Sequence, residues 1–129
     1  MNITNLLYIL LSLLFFTVGV VNGQDFINAG NFNDKIAKDI VAVEFWADWN
    51  KSNEFSELKS LKDATVYRVD IMHCTALQSD YEVVSVPTII IFESGKEKDR
   101  FAANIMFQLE ADKKDVQKSI DKIMLAKFN

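Results

Sequence analysis

The sequence predicts an α/β domain built on a mixed central sheet with helices on both faces. Three observations carry this. The segment "IVAVEFWA", residues 40–47, is apolar and β-branched on both faces, the pattern of a strand covered on two sides. Strand-like and helix-like segments alternate through the first two thirds of the charged part of the chain. The last two strand-like runs are joined by a tight turn, so the sheet ends in a hairpin and is mixed.

The elements follow in order. "DFIN", residues 25–28, reads as a short edge strand. Asn31 reads as the N-cap of a short helix with Phe32, Ile36 and Ala37 inward. Residues 40–47 form the first central strand. In residues 53–62, Phe55, Leu58 and Leu61 repeat at a spacing that predicts a second helix. "TVYRVDI", 65–71, is the next strand, and "CTALQSDY", 74–81, a helix of about two turns. "VPTIIIFESGKEKDRF", 86–101, is the hairpin, turning at Glu93–Lys96 with Gly95. The final helix, 112–127, turns Val116, Ile120, Ile123 and Met124 to one face. Asp112 and Asp115 lie in its first turn, where acidic groups favour the helix dipole. The expected order is βαβαβαββα.

Composition bounds the class. The chain has 129 residues, enough for one domain, and half of them are hydrophobic. The first 24 residues carry no charged side chain, and Leu6 to Val21 is an apolar run of 16. That is short of the ~20 residues of a membrane span. Val21 and Gly23 suit the −3 and −1 positions of a signal-peptide cleavage site, leaving residues 24–129 as the mature domain. "MNITN" supplies no Lys or Arg before the run, so an uncleaved N-terminal anchor stands as the alternative. All charge falls in the mature part, at a net −4, which gives no basic face for nucleic acid. With one cysteine, Cys74, no internal disulfide can form, and with one His beside it the soft ligands are too few for a metal site. No phosphate loop, glycine-rich nucleotide motif or Ser–His–Asp set is present, and no cofactor is expected.

This order, together with "VAVEFWADWN" and "YEVVSVPTIIIFESGK", resembles the thioredoxin family across the mature chain. The resemblance implies that Val86–Pro87 is the cis peptide bond beside the redox motif, and that Trp49 is the tryptophan before it. It places Asn50 and Asn53 where the family has its two cysteines. An amide offers no thiolate and forms no mixed disulfide, so dithiol exchange is not expected. Two readings of the asparagines stand: helix caps, for which Asn is favoured, or parts of a retained binding pocket. The family uses the backbone before its cis-proline to pair with an extended peptide, which makes Trp49, Val86 and Pro87 the candidate peptide-binding residues.

Further departures and survivals matter. The segment after Asn53 is shorter than in typical members, which stunts the second helix. The stretch "ANIMFQLEADKK" is longer than usual and apolar at Ile105, Met106, Phe107 and Leu109. It reads either as an early extension of the last helix or as a rebuilt groove wall. Glu44 interrupts an apolar strand and needs a partner or a raised pKa. The family keeps an Asp there, linked to proton transfer, with a Lys on the adjacent strand; Arg68 falls at the Lys position, so Glu44 and Arg68 are expected to form a buried ion pair. Cys74, thirteen residues before Pro87, matches a cysteine of animal members. It is either a small, partly buried helix-start residue or a reactive thiol; His73 beside it points about 100° away on a helix and is no ready base.

The reading is of an exported protein, in a periplasm, a secretory lumen or outside the cell. It is expected to bind an extended polypeptide or a protein partner and not to catalyse dithiol exchange. The alternatives are a weak single-thiol redox protein acting through Cys74, or a structural subunit of an envelope or secretory complex.

Overall fold

A computed structural model describes residues 25–129. The expected signal peptide lies outside these residues. Four strands form one sheet in the order β2-β1-β3-β4. They are β1 (Ile40–Trp46), β2 (Thr65–Asp70), β3 (Thr88–Glu93) and β4 (Lys96–Ala102). β1 runs parallel to β2 and antiparallel to β3, and β3 pairs antiparallel with β4. The α-helices are α1 (Phe32–Ile36), α2 (Thr75–Asp80) and α3 (Lys113–Ala126).

Alternation along β1 divides the core. Val41, Val43 and Phe45 belong to one apolar cluster, with Phe32 and Ile36 of α1, Leu77 of α2, and Val86. Ile40 and Ala42 belong to the other, with Ile89 and Ile91 of β3, and Val116 and Ile120 of α3. Successive strand residues face opposite ways, so both faces of β1 are covered. By the same alternation Glu44 falls on the α3 side. Ile123 and Met124 are only partly buried, packed against that second cluster.

The hairpin turn holds Ser94 and Gly95 at φ 49° and 83°. At Gly95 a β-carbon would be strained by the left-handed backbone. The Ser94 N–H donates to Asp39 O, and the Gly95 N–H to Ile36 O, which ties the turn to the end of α1. α3 starts in a reciprocal cap: Asp112 accepts from the Asp115 N–H at 3.0 Å and Asp115 accepts from the Asp112 N–H at 2.9 Å. The Asp115 N–H bond holds the Asp112 carboxyl below its usual range.

Four expectations fail. Residues 25–28 form no strand; Phe26 makes one isolated parallel bridge to Arg68, with the Ile27 N–H on Arg68 O and the Arg68 N–H on Asp25 O. Ala37 is exposed, because α1 ends at Ile36 and leaves it at the C-cap. Asn31 sits at the N-cap of α1 but does not cap it; its side chain accepts the Asn28 N–H instead. The second helix does not form. Residues 48–60 make 3₁₀ turns over Asp48–Asn53, broken by a kink at Asn50 (φ −119°, ψ 19°), and over Leu58–Ser60, with extended backbone at Glu54. Phe55, Leu58 and Leu61 are buried all the same. Their strict three-residue spacing is the period of a 3₁₀ helix, and it serves burial without α-helix.

Candidate functional site

The candidate site lies where β1 ends. After Trp46 the chain enters the segment Asp48–Asn53, which carries Trp49, Asn50 and Asn53. Asn50 is 8 % exposed. Its Nδ2 donates to Val86 O at 3.0 Å and to Phe107 O at 3.1 Å, and its Oδ1 accepts from Asn53 Nδ2 at 2.8 Å. Two carbonyl oxygens can only accept, so they fix which end of the amide is nitrogen. The capping reading of these asparagines is thereby replaced. Neither amide caps a helix; Asn50 joins three segments of chain.

The Val86–Pro87 peptide is cis. Its turn is held by the Thr88 hydroxyl, which donates to Ser85 O, and by the Ala103 N–H on Pro87 O. The Ser85 hydroxyl donates to Ala103 O. These bonds set the proline turn beside the loop that follows β4.

The sequence offers that loop as a rebuilt groove wall; its internal organisation is not visible there. Asn104 organises it: the Asn104 side chain accepts the Met106 and Gln108 N–H groups, and its backbone N–H donates to Gln108 O. Phe107 takes φ 58°, the left-handed region that costs a bulky side chain. Its ring meets Trp49 edge-on, with centroids 5.1 Å apart and planes at 89°. The extension of the last helix into this stretch does not occur, since α3 begins at Lys113. Ile105 and Met106 are exposed, Leu109 is partly buried, Trp49 is 57 % exposed and Phe107 40 %. Val86 itself is buried.

Beneath this edge lies a buried charge network. Glu44 is fully buried. Its Oε1 accepts from Arg68 Nε at 3.1 Å and Nη2 at 2.8 Å, and its Oε2 accepts from the Phe55 N–H at 2.9 Å. Burial pushes the Glu44 carboxyl above its usual range; the Phe55 N–H and Arg68 act the other way. Arg68 Nη1 also lies 3.6 Å from Glu54 Oε2, which accepts the Trp46 indole N–H at 2.7 Å. The guanidinium sits 5.9 Å from the Trp46 ring centre. Sequence reasoning misses Glu54. A carboxylate one residue before a buried Phe, near a Trp that needs an acceptor, is the signal that could have found it.

Cys74 lies in surroundings that do not favour the single-thiol alternative. It occupies the N-cap position of α2, is 6 % exposed, and belongs to the same core cluster as Ile71 and Leu77. A reactive thiol needs access, and this one has little. His73 is paired with Asp70, Nδ1 to Oδ2 at 2.8 Å. Among the described residues no group of three or more His, Cys, Asp or Glu side chains is placed to hold a metal ion. None of their helices is long and apolar enough to cross a membrane.

A mixed four-stranded sheet flanked by helices, with a cis-proline turn beside the end of β1, defines the thioredoxin-like class of α/β folds. The family model described as thioredoxin matches residues 24–122, and the chain belongs to that family. It is 33% identical over 76 residues to a thioredoxin of Chlamydia trachomatis, covering 54% of this chain and 74% of the relative. It is 37% identical over 70 residues to a thioredoxin of Mycoplasma genitalium, covering 50% and 69%. Among solved structures it resembles a point mutant of the thioredoxin from Halobacterium salinarum, with a TM-score of 0.61 at 24% identity, over 81% of this chain and 95% of that one.

Proposed function

We propose that this protein is an exported, non-catalytic member of its family, one that binds an extended polypeptide at the edge formed by Trp49, Val86 and Pro87. Residues 1–23 are removed on export and residues 24–129 are the working domain. The observation that carries the reading is the state of Asn50. The residue at the nucleophile's position is an amide whose three hydrogen bonds go to Val86, Phe107 and Asn53. It offers no thiolate for attack on a disulfide. Next to it Trp49 remains exposed, with Met106 and Ile105 on the adjoining loop. Loss of the thiols with retention of an apolar edge fits binding by backbone pairing and apolar contact. The net charge of −4 favours no nucleic acid.

Two measurements on the mature protein test this. Insulin reduction with dithiothreitol as electron source should not exceed the blank. Reduced, carboxymethylated α-lactalbumin, a permanently unfolded chain, should bind, and Trp49→Ala should weaken it. Turnover above the blank, or binding unaffected by Trp49→Ala, overturns the proposal.

A further inference from the structure

We infer that the binding edge is partly self-occupied: Phe107 is an internal plug against one side of Trp49, held in place by the Asn50 amide, and a polypeptide that packs on that side must displace it. The inference rests on the polypeptide-binding reading above and adds how that site is controlled.

Four observations meet at this point. The Phe107 ring lies edge-on against Trp49, the exposed aromatic of the edge proposed above. The ring is only part-covered, so it fills no core position that the fold requires. Its backbone takes a left-handed conformation that a phenylalanine adopts only when its surroundings impose it. The imposing contacts are specific. The Asn104 side chain gathers the loop from within, and the Asn50 amide takes Phe107 O from outside while also holding Val86 O. A single amide therefore fastens the plug to the proline turn and uses the Val86 carbonyl on which an extended chain would pair.

The consequence is a specificity. The site favours a polypeptide that brings its own aromatic or large aliphatic side chain, because that side chain must replace the ring on Trp49. A polar extended chain gains nothing from displacing Phe107. The closed arrangement also lowers apparent affinity, by the fraction of molecules that are open. A plug closed in nine molecules of ten weakens binding about tenfold.

The test uses the mature protein, with carboxymethylated α-lactalbumin and two decapeptides as probes, one containing two Phe and one with Ser in their place. Phe107→Gly removes the ring and relieves the backbone. Phe107→Asn removes the ring but suits the left-handed conformation, which separates plugging from strain. Asn50→Ala removes the fastening. Both Phe107 variants should bind the Phe peptide about tenfold more tightly than the parent. Asn50→Ala should bind it more tightly than the parent and show faster amide exchange at Met106, Phe107 and Gln108. The Ser peptide should bind poorly to all. Equal or weaker binding by the Phe107 variants means that Phe107 is part of the receptor surface; the plug is then wrong and polypeptide binding stands. If neither the parent nor the opened variants bind any probe, the binding reading fails and the plug falls with it. Unchanged exchange in Asn50→Ala overturns the role given to Asn50.

Discussion

Arg68 meets Glu44 across the parallel β1–β2 register with two nitrogens on one carboxylate oxygen, at 3.1 and 2.8 Å. The pair is set by neighbouring positions in adjacent strands and needs no loop to bring it together. Its second carboxylate oxygen takes the Phe55 N–H, so the pair also anchors the chain after the 3₁₀ segment. Arg68→Ala should cost about 3–5 kcal/mol in urea unfolding, because it leaves a buried carboxylate with one N–H for company. Replacing both residues with leucine should cost less, about 1–3 kcal/mol, mainly for the unpaired Phe55 N–H. Equal losses in the single and double variants would show that the two side chains do not act as a pair.

The pH dependence of that site has a definite sign. Burial raises the folded carboxyl above its unfolded value. Between the two values the folded state holds more protons than the unfolded one, so stability from this group falls as pH rises. The contribution is complete below the unfolded value of about 4.3 and is lost through the folded value. Denaturant unfolding of the parent and of Glu44→Gln, from about pH 4 to 7, isolates it as a difference. That difference should shrink with rising pH. A difference that grows would mean that Arg68 and the Phe55 N–H outweigh burial.

The strands and the last helix are legible in the sequence because their patterns report burial directly. β1 is apolar on both faces and is covered on both faces; the Glu44–Arg68 pair is implied by the family resemblance and not by the strand pattern. The segment 53–62 misleads because Phe55, Leu58 and Leu61 satisfy a 3₁₀ period as well as an α-helical one. What decides between them is tertiary: Glu54 is drawn to Trp46 and Arg68, and the Phe55 N–H to Glu44, which leaves Glu54 extended. The Asn50 clasp is not legible either. Its acceptors lie 36 and 57 residues away, and nothing local to Asn50 distinguishes a clasp from a cap.

Cys74 should behave as a core residue. Its thiol should react with Ellman's reagent in native buffer at least about 100-fold more slowly than in denaturant, at a rate that follows local opening of the α2 region. Cys74→Ala should leave polypeptide binding unchanged. Rapid native labelling would restore the single-thiol reading.

The final prediction concerns the Asn50 amide. Asn50→Ala leaves Val86 O and Phe107 O without their shared donor in a nearly closed site, and should cost about 1–3 kcal/mol. Asn53→Ala removes one part-buried bond to Asn50 Oδ1 and should cost about 0.5–1.5 kcal/mol. Asn50→Asp is the sharper experiment, because shape is kept while the donor is lost and a titratable carboxyl takes its place. A carboxylate there would face two carbonyl oxygens, so the protonated form, which can still donate, is favoured on folding. Its folded pKa is then raised. The variant should approach parent stability below about pH 4, the unfolded aspartate value, and lose it as pH rises through the folded value. Unfolding curves of parent and variant across that range measure the difference. A variant as stable as the parent at neutral pH would mean that the amide nitrogen does not hold Val86 and Phe107 together in solution, and that the two loops meet by packing alone.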